Sequence, residues 1–371
     1  MNSAKHLYII GNGFDRHHGA DSSYDDFRQY LLHHNVNVVK SLELFFGPRS
    51  LKNTVENYSK YRWYTEDFNH LRIKAPEAQW AKMYLWKDFE GYLSSLNREK
   101  IFDLLDLYLP KTKQQVQQFD YKQYQKAISN ILAKIDLCTF EMRYQFHKWI
   151  KTIHYAKGYK TKLLDVDTNA RFLSFNYTTF LEDVYGVPST NIKYIHGCKR
   201  DKYGSIVLGH CQDYQTGLEE WLHKHRYRKR YRPNLKDKNG KYFPNGKLIY
   251  LAYFADSIDD ANWITEPRYN AVLDVKNRIE NYFQENFKDS MRIIHNNSNF
   301  FSLLSNINEI TVWGHSLGEV DHNYYKAIIG ANKEPHQILW TFSWYSEDDK
   351  KRIAKFIQKY DLHKVDYMHL G

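Results

Sequence analysis

Leu7-Tyr8-Ile9-Ile10-Gly11-Asn12-Gly13-Phe14-Asp15 is the stretch whose reading decides the fold. Four β-favouring apolar residues run into Gly-Asn-Gly, which reads as a buried strand ending in a tight turn where missing side chains let a ligand approach the backbone. A helical segment follows from Ser22, with Ser22 or Ser23 as N-cap and acidic residues in its first turn. Strand, glycine turn and helix start together make the phosphate-facing corner of a nucleotide-binding α/β fold. The stretch stops short of two fuller fingerprints. Arg16 stands where a third glycine would, and no Lys-Ser/Thr pair completes a P-loop. Taken alone, these glycines fit a plain strand-to-helix turn equally well, so the later strands carry the decision.

Outward from that corner, the same arrangement recurs. Arg171-Phe172-Leu173-Ser174-Phe175 predicts a strand that ends in Asn176-Tyr177-Thr178-Thr179, and Lys193-Tyr194-Ile195 a short one that delivers His196-Gly197. Ser205-Ile206-Val207-Leu208 is read as another, delivering Gly209-His210. Glu309-Ile310-Thr311-Val312-Trp313 leads into Gly314-His315-Ser316-Leu317-Gly318. Gln337 to Trp344 is the last predicted strand, and Ser346-Glu347-Asp348-Asp349 caps a final helix through about Lys359. Ligands gather at the carboxyl ends of strands in such sheets, so Asn176, His196 and His210 are expected to converge on the Gly11 turn. A lone histidine is more often a surface or satisfied core residue; several strand ends with polar cargo weaken that reading for His196 more than for His210.

Between the first two strands the pattern is helical. Trp86, Phe89 and Leu93 fall at i, i+3, i+7, and Phe140, Tyr144, His147 and Ile150 at similar spacing; both stripes are read as core, and Glu90 as a solvated or capping residue. The expected organisation is an α/β, Rossmann-like core with a mostly parallel sheet, assembled from residues 1–35, 160–215 and 300–371. A helical insertion is expected over 36–159, and a basic, loop-rich insertion with helices over 216–299.

A chain of 371 residues can bury a full core, and 42% apolar content with 8 Pro and 17 Gly excludes a disordered tail. Three cysteines, Cys138, Cys198 and Cys211, make no disulfide framework. With no long apolar leader and no run of about 18 apolar residues, a soluble cytoplasmic protein with no membrane partner is expected. The net charge of +10 is partly concentrated in His223-Lys224-His225-Arg226-Tyr227-Arg228-Lys229-Arg230-Tyr231-Arg232. That run reads either as a surface tracking nucleic-acid phosphates, with tyrosines for stacking, or as a solvated insertion.

Two other chemistries fit less well. Gly314-His315-Ser316-Leu317-Gly318 matches the nucleophile elbow of serine esterases, but too little chain follows Ser316 to supply an acid and a base in their usual order. Cys198 and Cys211 with His196 and His210 lack the C-x-x-C pairs of zinc ribbons, and no metal centre is expected there.

Taken together, the ordered motifs resemble the bacteriophage abortive-infection AbiH family over nearly the whole chain. They are the Leu7–Asp15 stretch with His18-Gly19, Trp86-x-x-Phe89-Glu90, Phe175-Asn176-Tyr177-Thr178, Ile195-His196-Gly197, Gly314-His315-Ser316-Leu317 with Asp321, and the Trp340–Ile357 segment. The same order is similar to the sirtuin-like NAD-binding fold, with Gly-x-Gly, Asn-Tyr, His-Gly and a late Gly-x-Ser. Thr178 stands where an Asp follows Asn-Tyr there, and the four-cysteine zinc module of the deacetylases is missing, which argues against protein deacetylation. The resemblance implies antiphage defence through cleavage of the nicotinamide-ribose bond of NAD, the substrate, with no metal. It implies His196 and Asn176 as catalytic residues. Gly11, Asn12, Gly13, Phe14, Asp15, Gly314, His315, Ser316 and Asp321 are implied to bind the nucleotide. Candidate partners are NAD or a related nucleotide, a phage trigger, a second copy of the chain, and nucleic acid along 223–232. The competing functions are a nucleic-acid-directed toxin or nuclease and a non-catalytic nucleotide sensor.

Overall fold

The computed structural model describes residues 5–46, 81, 84–107, 121–155, 164–213, 220 and 262–370. The basic run at 223–232 lies outside them. Its frame is a six-stranded parallel sheet: β1 (His6–Ile10), β2 (Arg171–Ser174), β3 (Ile192–Tyr194), β4 (Glu309–Trp313), β5 (Leu339–Trp344) and β6 (Lys364–His369). In space they run β3-β2-β1-β4-β5-β6, the doubly wound order in which the chain turns from one half of the sheet to the other between β1 and β4. The expected α/β, Rossmann-like class therefore holds.

Period-two alternation in β1 divides the core into two layers. Leu7 and Ile9 join Leu173, Ile310, Val312, Tyr324, Tyr325 and Phe356 on one face, whereas Tyr8 and Ile10 join Phe172, Phe27, Phe146 and Trp149 on the other. Among the described residues, the α-helices before β2 are α1 (Asn12–His17), α2 (Tyr24–His34), α3 (Val36–Phe45), α4 (Phe89–Tyr92), α5 (Arg98–Leu107), α6 (Tyr121–Asp136) and α7 (Met142–Thr152). After β2 come α8 (Phe180–Asp183), α9 (Asn262–Glu285), α10 (Ser290–Asn296), α11 (Ser298–Ser302), α12 (His322–Ala331) and α13 (Glu347–Tyr360). Both expected caps form capping boxes, Ser23 with Asp26 on α2 and Ser346 with Asp349 on α13.

Four local readings are revised. The turn after β1 is itself the start of α1, with Gly11 as an extended N-cap, so a helix begins ten residues before Ser22. Ile206–Leu208 forms no strand, because side chains take its carbonyls: Arg143 Nη1 donates to Leu208 O at 2.6 Å and Tyr177 Oη to Val207 O at 2.7 Å. Phe140 and Tyr144 are exposed, at 44% and 43%. Two apolar stripes ran side by side along this segment, and packing selected the one through Cys138, Met142, Phe146 and Trp149. Strand β6 went unforeseen, since Lys-Val-Asp-Tyr-Met-His at a half-exposed sheet edge carries little apolar signal.

A candidate active site at the carboxyl ends of the strands

The loops after β1 and β4 meet at the switch point and hold each other by backbone. Gly11 N donates to Trp313 O at 2.8 Å and Gly13 N to Gly314 O at 2.7 Å. A Cβ on Gly13 would lie 2.6 Å from Gly314 Cα, and one on Gly314 would collide with Phe14 N; Gly314 also has φ +63°, the left-handed region. In this structure the glycines serve the approach of one loop to the other. Gly314 N in turn donates to Ser343 Oγ at 2.8 Å.

On the β2 side of this junction sits a closed polar cluster. Asn176 donates its amide to Gly11 O (3.0 Å) and Asp15 Oδ1 (2.8 Å), and Thr178 Oγ1 donates to Asp15 Oδ2 (2.8 Å). Asn176 and Asp15 are buried, and burial pushes the Asp15 carboxyl up to about 7 against the opposing pull of Thr178, Asn176 and Lys199. His18 lies behind it, with Nδ1 donating to Phe14 O at 2.7 Å and Nε2 accepting from Tyr185 Oη at 2.7 Å. Phe14 itself points into the core against Trp313, His18 and Tyr185. Asn12 is exposed and its side-chain amide is tied to Ser22.

On the β4 side lies a charged cluster. Lys288, whose side chain is fully buried, donates to Asp321 Oδ1 at 2.8 Å and to Glu90 Oε2 at 2.9 Å; Glu90 Oε1 accepts from Tyr24 Oη at 2.7 Å. Burial opposes the Lys288 ammonium, yet Asp321 and Glu90 together outweigh it and hold its proton more tightly than on an ordinary lysine. Burial likewise opposes the Asp321 carboxylate, but Lys288 and His315 keep it ionised well below the usual carboxylate range. His315 Nδ1 accepts from Leu317 N–H and from Tyr325 Oη, both at 3.0 Å, which leaves its proton on Nε2, 3.3 Å from Asp321 Oδ2. Leu317 reaches that hydrogen bond with φ +56°, a conformation costing a non-glycine residue roughly 1–2 kcal/mol.

His196 faces the other oxygen. Its Nε2 lies 3.8 Å from Asp321 Oδ1 and is buried without a hydrogen-bond partner among the described residues, as is the hydroxyl of Tyr324. Phe175 packs edge-on against His196, His315 and Tyr324, with ring centroids 5.2, 4.4 and 5.4 Å away. Burial lowers the His196 pKa well below the ordinary histidine value, and Lys288 adds to this against the pull of Asp321, so the ring is neutral. Two carboxyl groups, Glu90 and Asp321, thus share the single Lys288 ammonium.

Strand ends thus bring together Gly11, Asp15, Asn176, His196, Gly314, His315 and Asp321, while Ser316 is exposed and Phe14 belongs to the core. Sequence reasoning missed Lys288, Tyr324 and the inward role of Glu90. Lys288 stands 198 residues from one carboxylate and 33 from the other, and no local pattern marks it. His210 contributes to its placement through backbone: Lys288 N donates to His210 O at 2.7 Å, and His210 N to Asn286 O at 2.8 Å. Its own ring packs on Phe283 and Phe287.

Among the described residues, no helix is long and apolar enough to cross a membrane. The sequence model of a family described as Bacteriophage abortive infection AbiH matches residues 7–344. Neither curated proteins nor solved structures yielded a match.

Proposed function

Since the chain belongs to the bacteriophage abortive infection AbiH family, we propose that it acts in phage defence by hydrolysing the nicotinamide-ribose bond of NAD. The observation that carries this reading is the unpartnered Nε2 of His196, buried 3.8 Å from Asp321 Oδ1 at the carboxyl ends of parallel strands. Two further features support it. The β3-β2-β1-β4-β5-β6 order belongs to sheets that take dinucleotides at the β1/β4 crevice. Two carboxyl groups around one ammonium favour a pyridinium substrate whose ribose gains positive character as the bond breaks.

In this reading the C–N bond breaks with its electron pair going to nicotinamide, and water attacks the ribosyl carbon. The water's proton passes to His196 Nε2, and the imidazolium so formed faces Asp321. The products are ADP-ribose, nicotinamide and one proton. His315, with its tautomer set by Leu317 and Tyr325, steadies Asp321 from the other side. Asn176 commits its amide to Gly11 and Asp15 and acts as a positioning residue, keeping the β1 and β2 loops in register.

Purified protein given NAD is expected to release nicotinamide, measured by chromatography. His196→Ala is expected to lose release by about 10²–10⁴-fold while still unfolding cooperatively, at a lower melting temperature set by the cavity it leaves. Because His196 titrates below its ordinary value, the rate is expected to hold from neutral pH upward and to decline on the acid side of pH 6.5. Wild-type protein that leaves NAD intact, with nucleic acid and phage lysate supplied, overturns the proposal. Saturable binding without turnover would then indicate a sensor, and binding that weakens steeply with salt a nucleic-acid-directed effector.

A further inference from the structure

At the amino ends of β5 and β6, on the rim of the sheet opposite the candidate site, His336, Asp361 and His363 each bring a ligand atom within 4.8 Å of the others. Nothing described above uses these exposed side chains. Their meeting follows from the sheet: the parallel register sets Leu339 opposite Lys364, so the turn Pro335–Gln337 before β5 lies beside the residue that precedes β6. Asp361 ends α13 in the left-handed conformation at φ 50°, and its Oδ2 is 3.2 Å from His363 Nε2. The His336 and His363 rings are 5.2 Å apart between centroids and inclined at 64°. The adjacent Lys364 gives its ammonium to Gln337 Oε1 at 2.7 Å.

We propose that His336, Asp361 and His363 form a site for a divalent transition metal of the zinc class, completed by water. Two imidazoles and one carboxylate suit Zn²⁺, Ni²⁺ or Co²⁺, whereas Mg²⁺ and Ca²⁺ select oxygen ligands. Bonds of about 2.1 Å to a tetrahedral ion separate neighbouring ligand atoms by about 3.4 Å; Asp361 Oδ2 and His363 Nε2 already stand at 3.2 Å, and the widest gap in the cluster, at most 4.8 Å, closes by rotation of exposed side chains. The ion would staple the turn before β5 to the turn before β6, and its binding would stabilise the folded chain by mass action.

The test uses full-length, tag-free protein, freed of metal by chelation, and ZnCl₂ as the probe in calorimetry. Wild type is expected to take up one equivalent saturably and to melt higher with Zn²⁺. His363→Ala and His336→Ala, at exposed positions, are expected to bind at least tenfold more weakly and to lose the added thermal shift while keeping the metal-free melt. CoCl₂ should give a visible absorption band in wild type that the double variant lacks. Equal Zn²⁺ uptake by wild type and double variant, or the absence of saturable uptake in wild type, overturns the proposal.

Discussion

The two polar clusters on either side of the Gly11–Gly314 junction differ in how completely their hydrogen-bonding groups are satisfied. Around Asp15, each carboxylate oxygen has its donor, from Asn176 and from Thr178, and the amide of Asn176 also serves Gly11. Around Asp321 the charges are paired, but His196 Nε2 and the Tyr324 hydroxyl have no hydrogen-bond partner among the described residues. Buried polar atoms are usually satisfied; both ring nitrogens of His210 are also left over, but the His196 nitrogen is the one that faces a carboxylate, which is what the proposed chemistry would use. Packing makes both clusters, and their satisfaction distinguishes them.

The sharpest way to break this contrast is Lys288→Met. It strips the charged cluster of its cation and leaves buried Asp321 and part-buried Glu90 without it, with an expected destabilisation of about 3–5 kcal/mol by urea unfolding. A loss within a few tenths of a kcal/mol would mean the cluster is not sealed. Gly314→Ala tests the junction that both clusters share: left-handed strain and the collision with Phe14 N together predict a loss of about 2–4 kcal/mol in the same experiment. If Gly314→Ala is neutral, the loops have room between them, and a ligand cradle replaces a backbone clamp as the reason for the glycines.

The gentlest probe is the pH dependence of the closed cluster. The Asp15 pKa rises from an ordinary 3.8 to about 7 on folding. Between these values the folded chain keeps a proton that the unfolded chain has released. Its contribution is full below pH 3.8 and is lost as pH rises toward 7, at no more than about 1.4 kcal/mol per pH unit. Buried histidines tilt the other way. His210, pushed down to about 4 by burial, stabilises above 6.5 and loses that contribution as the solution acidifies. The informative quantity is therefore the difference between wild type and Asp15→Asn: the variant's relative stability should climb from pH 4 to 7 and then level. A flat difference would show Asp15 ionised throughout that range.

The outcome for individual residues separates local from distant information. β1, β2 and β4 were readable because apolar runs end abruptly in glycine or asparagine, and the cap of α13 because Ser346 and Asp349 lie three residues apart, whereas at α2 the structure chose Ser23 over Ser22. His196, Asn176, His315 and Asp321 were singled out by their places after strands and by family resemblance. Glu90 was taken for a solvated or capping residue because nothing within a few turns of α4 reveals a buried ammonium arriving from another part of the chain. The edge strand β6 and the exposed faces of Phe140 and Tyr144 went astray where pattern alone does not say which side of an element finds a neighbour.

By itself, the order of amino acids determined the strands β1, β2 and β4, the α/β class of the fold and which residues follow those strand ends, since these depend on side chains a few positions apart. Tertiary structure alone decided that Lys288 joins Glu90 to Asp321, that the two glycine loops close on each other, and that His196 keeps a nitrogen in reserve. The physical reason is that burial and charge pairing are properties of a place in space, where residues almost two hundred positions apart share one low-dielectric interior.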